Sequence, residues 1–288
     1  MQQRYYELAG LRFSVQVPDG VAWPENRMLL DFMAEPGDCQ LECVLTVVEQ
    51  LERPVGQLCY EDASTKVYTA PGMHLVYRGA VQSDPGGGYL RILRRGSRSD
   101  VQVLASAIPK GLSSDLIVSC MEVIHHITAA GGYLLHASWI SYRDQAILFT
   151  APSGVGKSTQ AALWEKLRGA QLINGDRAAV FPTEQGIRVR GIPFCGTSGV
   201  SKNVTLPLAA VVCLAQAPET TIARLTGAKA FRQLWEGCCI NTWNQEDMER
   251  CVQAVSDTVS QVPIFYLACT PDESAVLALE KECFNAIN

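Results

Sequence analysis

The segment Ala151-Pro-Ser-Gly-Val-Gly-Lys-Ser158 fits a short pattern: Ala or Gly, any four residues, Gly-Lys, then Ser or Thr. Such a loop dictates its own surroundings. Its backbone N–H groups can converge on one concavity only between a buried strand and a helix whose N-terminus adds partial positive charge. Both flanks comply. Gln145-Ala-Ile-Leu-Phe-Thr150 is a short apolar run suited to a buried strand, and Ser158-Thr-Gln-Ala-Ala-Leu-Trp-Glu-Lys-Leu167 reads as a helix. The expected ligand is a nucleotide, ATP or another NTP, with Mg²⁺. Ser153, Gly154, Val155, Gly156, Lys157, Ser158 and Thr159 would line its phosphates. Lys157 would reach the β/γ-phosphates and the Ser158 hydroxyl would ligate Mg²⁺.

Composition narrows the rest. A chain of 288 residues, 48% apolar, can bury one large core or two small ones. The formal net charge of −5 gives no sign of a nucleic-acid partner. No apolar run reaches the roughly 18 residues of a membrane span, and the N-terminus lacks a signal-peptide stretch. The expected setting is the cytoplasm, without a membrane partner. The eleven cysteines are odd in number and contain no C-x-x-C pair, so they read as reduced thiols packed as small hydrophobes. A zinc site is not supported.

Residues 1–108 read as a β-rich region. Leu11–Val17 alternates, Leu41–Val48 is a second strand, and Lys66–Thr69, Met73–Tyr77 and Tyr89–Arg94 follow, with a turn at Asp84–Gly88. Arg91, Arg94, Arg95 and Arg98 read as the solvated face of a strand. From 109 to 288 helices and strands mix. Ser113–Thr128 carries a helical stripe ended by Gly131-Gly132. Strand Tyr133–Ile140 and a turn at Tyr142–Asp144 then lead into the loop's own strand, a hairpin, so the sheet is mixed. Beyond the loop helix come strand Ala170–Asn174, a hairpin over 178–190, the Gly-rich segment Gly191–Lys202, and strand 208–215. Helices near 228–236 and 247–259, strand 263–269 and a helix from Pro271 complete the chain. The fold class is α/β, with a mixed sheet.

An acid is needed near the γ-phosphate to hold Mg²⁺ or to take a proton from an acceptor. Asp176 ends the strand that follows the loop helix and is the best candidate for both roles. His136 lies on the strand before the loop. A histidine in an apolar strand is commonly a satisfied core residue, yet the hairpin returns this one toward the loop, and both readings stand. His74, His125 and His126 read as structural.

Leu135-His136-Ala137, Ala151–Ser158 and Leu172-Ile-Asn-Gly-Asp176 together resemble the catalytic domain of HPr kinase/phosphorylase, which shares a core with phosphoenolpyruvate carboxykinase. The resemblance covers residues 130–182 well and continues loosely to about 270. It implies a phosphate-loop core preceded by a β-rich region, and an ATP- and Mg²⁺-dependent kinase acting on a serine or threonine hydroxyl of a protein or peptide. Some smaller relatives of that core phosphorylate peptide precursors. Lys157 would neutralise the transferring phosphate, Ser158 and Asp176 would hold Mg²⁺, Asp176 would act as base, and His136 would complete the catalytic set. Lys202 is the first candidate for a further cation, ahead of Arg177 and Arg190. The N-terminal region would recognise the acceptor, and a homo-oligomer is what the resemblance allows. Gly175 stands where that family has the first of two aspartates, and this raises a second reading: a nucleotide-binding regulatory or scaffold protein without catalysis. A carboxykinase acting on a small acid ranks third, because its metal-binding Lys/His/Asp set cannot be assembled.

Overall fold

Strand-forming alternation dominates the first of two units, Met1–Val123, whereas the second, Ile124–Asn288, mixes strands and helices. The computed structural model describes residues 1–24, 27–79 and 88–284. The turn expected at Asp84–Gly88 lies, apart from Gly88, outside the described residues. Among them no helix is long and apolar enough to cross a membrane.

The first unit holds β1 (Gln2–Leu8), β2 (Leu11–Val17), β3 (Met33–Ala34), β4 (Leu41–Val48), β5 (Gln57–Glu61), β6 (Thr65–Ala70), β7 (Met73–Arg78), β8 (Leu90–Arg95), β9 (Arg98–Leu104) and α1 (Ser114–Cys120). They form one sheet in the order β3-β1-β2-β4-β9-β8-β7-β6-β5. Its β2–β4 and β4–β9 pairings are parallel. On β4, Leu41, Cys43 and Leu45 are buried while Glu42 and Thr46 face out, the period-two pattern of a half-covered strand. Helix α1 covers that buried face, where the Cys43 thiol donates to the Cys120 carbonyl at 3.2 Å.

Two expectations fail in this unit. Arg91 and Arg94 are not solvated: they are 3% and 8% exposed, because β8 sits inside the sheet with both faces covered. Arg91 pairs with Glu52 at 3.0 Å and donates to the Tyr77 hydroxyl at 3.2 Å. Arg94 pairs with buried Glu122, also at 3.0 Å. Arg95 and Arg98 are exposed, as expected, and share Asp100. The single helix expected over 113–128 breaks at Glu122, whose φ of 44° is left-handed. The stripe of apolar residues continues through the break, but the carboxylate is turned onto Arg94.

The second unit runs α2 (Val123–Ala129, opening at the boundary), β10 (Tyr133–Tyr142), β11 (Gln145–Thr150), α3 (Lys157–Arg168), β12 (Gln171–Asn174), β13 (Arg177–Thr183), β14 (Gly186–Arg190), β15 (Thr205–Gln216) and β16 (Thr221–Leu225). It closes with α4 (Gly227–Trp235), β17 (Cys238–Cys239), α5 (Gln245–Gln261), β18 (Ile264–Cys269) and α6 (Glu273–Phe284). The long strands β10 and β15 change partners midway. The first part of β10 pairs with β13 and β17, and its second part with β11 and β12. Likewise β15 pairs with β14 at its start and with β11 and β18 further on. An antiparallel sheet and a mixed sheet therefore share two strands. Strands β11, β15 and β18 run parallel, so their carboxyl ends lie on one side, where open α/β sheets bind ligands. Helices α3 and α6 bury Trp164, Ala275, Val276 and Leu279 on one core, and α4 and α5 bury Leu234, Ala254 and Val255 on the other.

Candidate functional site

The loop joins β11 to α3 as its pattern requires. Gly154 and Gly156 have φ of 81° and 127°, values open to glycine, and nothing lies within 4 Å of where a Cβ would stand on either. Gly156 is the N-cap of α3 and offers no side-chain acceptor. The first N–H groups of the helix, at Lys157, Ser158 and Thr159, are left to an outside acceptor. Ser153, Gly154, Ser158 and Thr159 are exposed, and Val155 and Gly156 are half-buried. Lys157 is only 8% exposed, and its ammonium curls back to donate to the carbonyls of Ala151 at 2.8 Å and Pro152 at 3.4 Å. Burial lowers its pKa, and the nearby Asp176 charge opposes that shift.

Asp176 is placed by a turn. Buried Asn174 accepts the N–H groups of Asp176 and Arg177 on its Oδ1, at 2.8 and 2.9 Å, and anchors its Nδ2 on the Ile192 carbonyl at 2.8 Å. The opposing strand brings His136 to the same place, since β10 pairs with β13 in the register His136↔Arg177. His136 Nδ1 lies 3.4 Å from Asp176 Oδ1. The pKa of His136 is lowered, first by burial and then by the Lys157 charge, against the pull of Asp176. Burial and the Lys157 charge thus work against the charged imidazolium. His136, Lys157 and Asp176 form one electrostatic group.

Lys202 is placed by its backbone. Its amide donates to the Ile173 carbonyl at 3.1 Å, which sets its backbone beside β12. Among the described residues, however, its ammonium makes no ion pair with Asp176. Arg177 takes that place: its Nε donates to Asp176 Oδ2 at 3.1 Å, its Nη1 reaches Cys239 Sγ at 2.6 Å, and its guanidinium lies over the Phe194 ring. Asn174 is the residue that the sequence reading passed over as a site-builder, and Arg177 is one that it ranked behind Lys202. The signal for Asn174 was an Asx residue at a strand end before Gly-Asp.

The Gly-rich segment explains itself by close approach. Gly196 packs so near Asp176 that a Cβ there would meet its side chain at 3.0 Å. At Gly175 a Cβ would stand 2.2 Å from Ser198 Oγ and 2.4 Å from Ser198 Cβ. Any side chain at 175 is excluded while Ser198 holds its place. We expect Gly175→Asp to destabilise the chain by about 2 kcal/mol through overpacking, and Gly175→Asp/Ser198→Gly to recover most of that loss, as thermal unfolding would read.

Two cavities of about 350 Å³ flank the loop. One reaches its start and is lined by His136, Thr150, Pro152, Cys213 and Cys239. The other reaches its end and the first turn of α3, and touches Thr159, Gln160, Gln216 and Cys269. Among the described residues no group of three or more His, Cys, Asp or Glu side chains could hold a metal. None of the eleven cysteines forms a disulfide; Cys43, Cys120, Cys213, Cys251 and Cys269 are buried, and Cys59 is exposed.

A mixed α/β unit with a site at the carboxyl ends of parallel strands defines the class. Over residues 110–272, more than half of the chain, the sequence matches the family described as "ScmC: SynChlorMet cassette protein ScmC", and the chain belongs to that family. No curated protein matches it. Among solved structures it is similar to the HPr(Ser) kinase/phosphatase from Coxiella burnetii, with 13% identity over 53% of this chain and 88% of that chain. The TM-score is 0.31, a likeness too distant to argue from.

Proposed function

We propose that this chain is an ATP-dependent phosphotransferase of the HPr kinase-like class, which uses Mg²⁺ to phosphorylate a serine or threonine hydroxyl of a protein or peptide in the cytoplasm. One observation carries the reading: Asp176 and His136 meet at 3.4 Å, within the electrostatic reach of Lys157, at the start of an uncapped helix. Phosphoryl transfer asks chiefly for positioning and charge compensation, and these groups supply both. The loop's N–H groups from Ser153 to Thr159 cradle the phosphates. Lys157 exchanges the carbonyls of Ala151 and Pro152 for phosphate oxygens. The residues fit Mg²⁺ as they would fit any ion shared with phosphates: the Ser158 hydroxyl and the Asp176 carboxylate are oxygen donors, and the nucleotide completes the shell. Asp176 takes the proton as the acceptor oxygen bonds to the γ-phosphorus and the bond to the β-phosphate oxygen breaks. His136 holds the other face of the carboxylate. The first unit serves acceptor recognition.

Thermal unfolding with and without Mg·ATP tests the foundation. At a hundredfold excess over Kd, binding stabilises by about 2.7 kcal/mol, a rise of several degrees in Tm for a chain this size. The rise is expected in the native chain and absent in Lys157→Ala. No rise in either folded protein would remove the nucleotide site.

A second reading, a nucleotide-binding scaffold without chemistry, is favoured by Gly175, since Ser198 fills the space of a second acid. It predicts tight Mg·ATP binding and no ADP formation.

A further inference from the structure

The Gly-rich segment folds back along the strand end that carries Asp176. The Lys202 N–H donates to the Ile173 carbonyl at 3.1 Å, and Ser201 bridges to Asn174 in antiparallel register. Further along, Ser198 closes against Gly175, which has no room for a Cβ beside the Ser198 hydroxyl. Gly196 then packs on the Asp176 side chain, where a Cβ would meet it at 3.0 Å. Residues 196–202 therefore run back along 173–176, and Ser198 stands beside the residue that precedes the carboxylate.

Ser198 is displayed as an acceptor hydroxyl would be. It is exposed, and it ends a short turn, Gly196–Ser198, flanked by Gly196 and Gly199 at φ of 53° and 66°. Both values are left-handed, and glycine adopts them without steric cost. The hydroxyl donates to the Cys195 carbonyl at 2.6 Å and accepts the Val200 N–H at 3.1 Å, so both of its bonds lie within the segment. Only the first must open to free the proton, and a hydrogen bond to a carboxylate is the stronger replacement.

We propose that Ser198 is a phosphorylation site, and that the chain phosphorylates it in cis from Mg·ATP. The proposal rests on the phosphotransferase reading of the site. Ser198 Oγ bonds to the γ-phosphorus as the bond from that phosphorus to the β-phosphate oxygen breaks; ADP leaves, and the hydroxyl proton passes to Asp176. The product sets a group of about −1.5 to −2 charge beside Asp176. Like-charge repulsion there slows further turnover, so the modification limits itself.

Intact mass and peptide mapping of the full chain, incubated with Mg·ATP and no added acceptor, test it beside ADP formation. We expect one phosphate per chain, on Ser198, at a rate per chain that dilution does not change. It is absent in Ser198→Ala, returns on the hydroxyl of Ser198→Thr, and forms about 10²–10⁴-fold more slowly in Asp176→Asn. The phosphorylated chain forms ADP more slowly than the unmodified one. ADP without phosphate on the chain, or phosphate on Thr197, Ser201 or Ser153 instead, would overturn the site and leave the phosphotransferase reading standing. A rate per chain that falls on dilution would overturn transfer in cis, and undiminished ADP formation by the phosphorylated chain would overturn its self-limitation. Should Ser198→Ala not fold, the phosphate map of the native chain still decides. Neither ADP nor phosphate on the chain would sink the phosphotransferase reading, and this inference with it.

Discussion

Asp176→Asn is expected to bind Mg·ATP within about tenfold of the native affinity and to lose ADP formation by about 10²–10⁴-fold, the worth of a positioned general base. The variant is nearly isosteric, so the Asx turn on Asn174 and the packing of Gly196 against residue 176 survive. The loop's N–H groups and Lys157, which on the proposed reading would carry most of the phosphate contacts, are untouched. What changes is charge and proton affinity: the amide cannot take a proton from a hydroxyl or from water. The readouts are calorimetric Kd and slow ATP hydrolysis measured side by side. Retained binding with lost turnover supports Asp176 as base. Equal turnover would remove it from the chemistry, and His136 would be the next group to replace. Loss of binding and turnover together would leave Asp176 its metal-holding role alone.

Some of this site was legible in the chain and some was not, for reasons of range. The loop, β11 and α3 lie where the pattern puts them, because strand, glycine turn and helix start are local matters. His136 and Asp176 were also readable, one from each strand end next to the loop. The contacts that hold them were not. That His136 meets Asp176 depends on the β10–β13 register, which no local spacing encodes, whereas the Asn174 turn and the Arg177–Asp176 pair span one to three residues and went unweighed. Gly175 read as a missing acid, and only the approach of Ser198 shows it as an excluded side chain. In the first unit Arg91 and Arg94 looked like surface because arginines usually are; their burial follows from β8 lying inside a nine-stranded sheet. In this unit β1, β3, β5 and β9 escaped the reading of strands. Glu122 escaped for another reason: apolar periodicity runs through it, and the break answers to Arg94 from a distant strand. Apolar spacing reports a helix face and is blind to the one polar residue that leaves it.

His125→Leu is expected to lower the melting temperature by about 10 °C. His125 Nδ1 lies 3.0 and 3.1 Å from the two oxygens of Asp247, and that carboxylate is 0% exposed. Asn241 donates to it at 3.0 Å, and the Asp247 N–H is held by the N-cap Asn244 at 3.1 Å. The pair ties α2 to the first turn of α5. Removing one partner of a buried pair strands the other, at about 3 kcal/mol or more, and each kcal/mol moves Tm by about 2–4 °C at this size. The exposed pair Arg232–Glu236 gives the contrast: its side chains are 80% and 54% exposed, and Arg232→Ala should shift Tm by no more than about 2 °C. His125→Leu/Asp247→Leu should regain much of the single variant's loss, since an apolar pair leaves no buried charge unmet. A shift under about 3 °C in His125→Leu would mean that Asn241 and the positive end of α5 already hold the carboxylate. The histidine would then be open to a role other than structure, which the pH dependence of ADP formation would read.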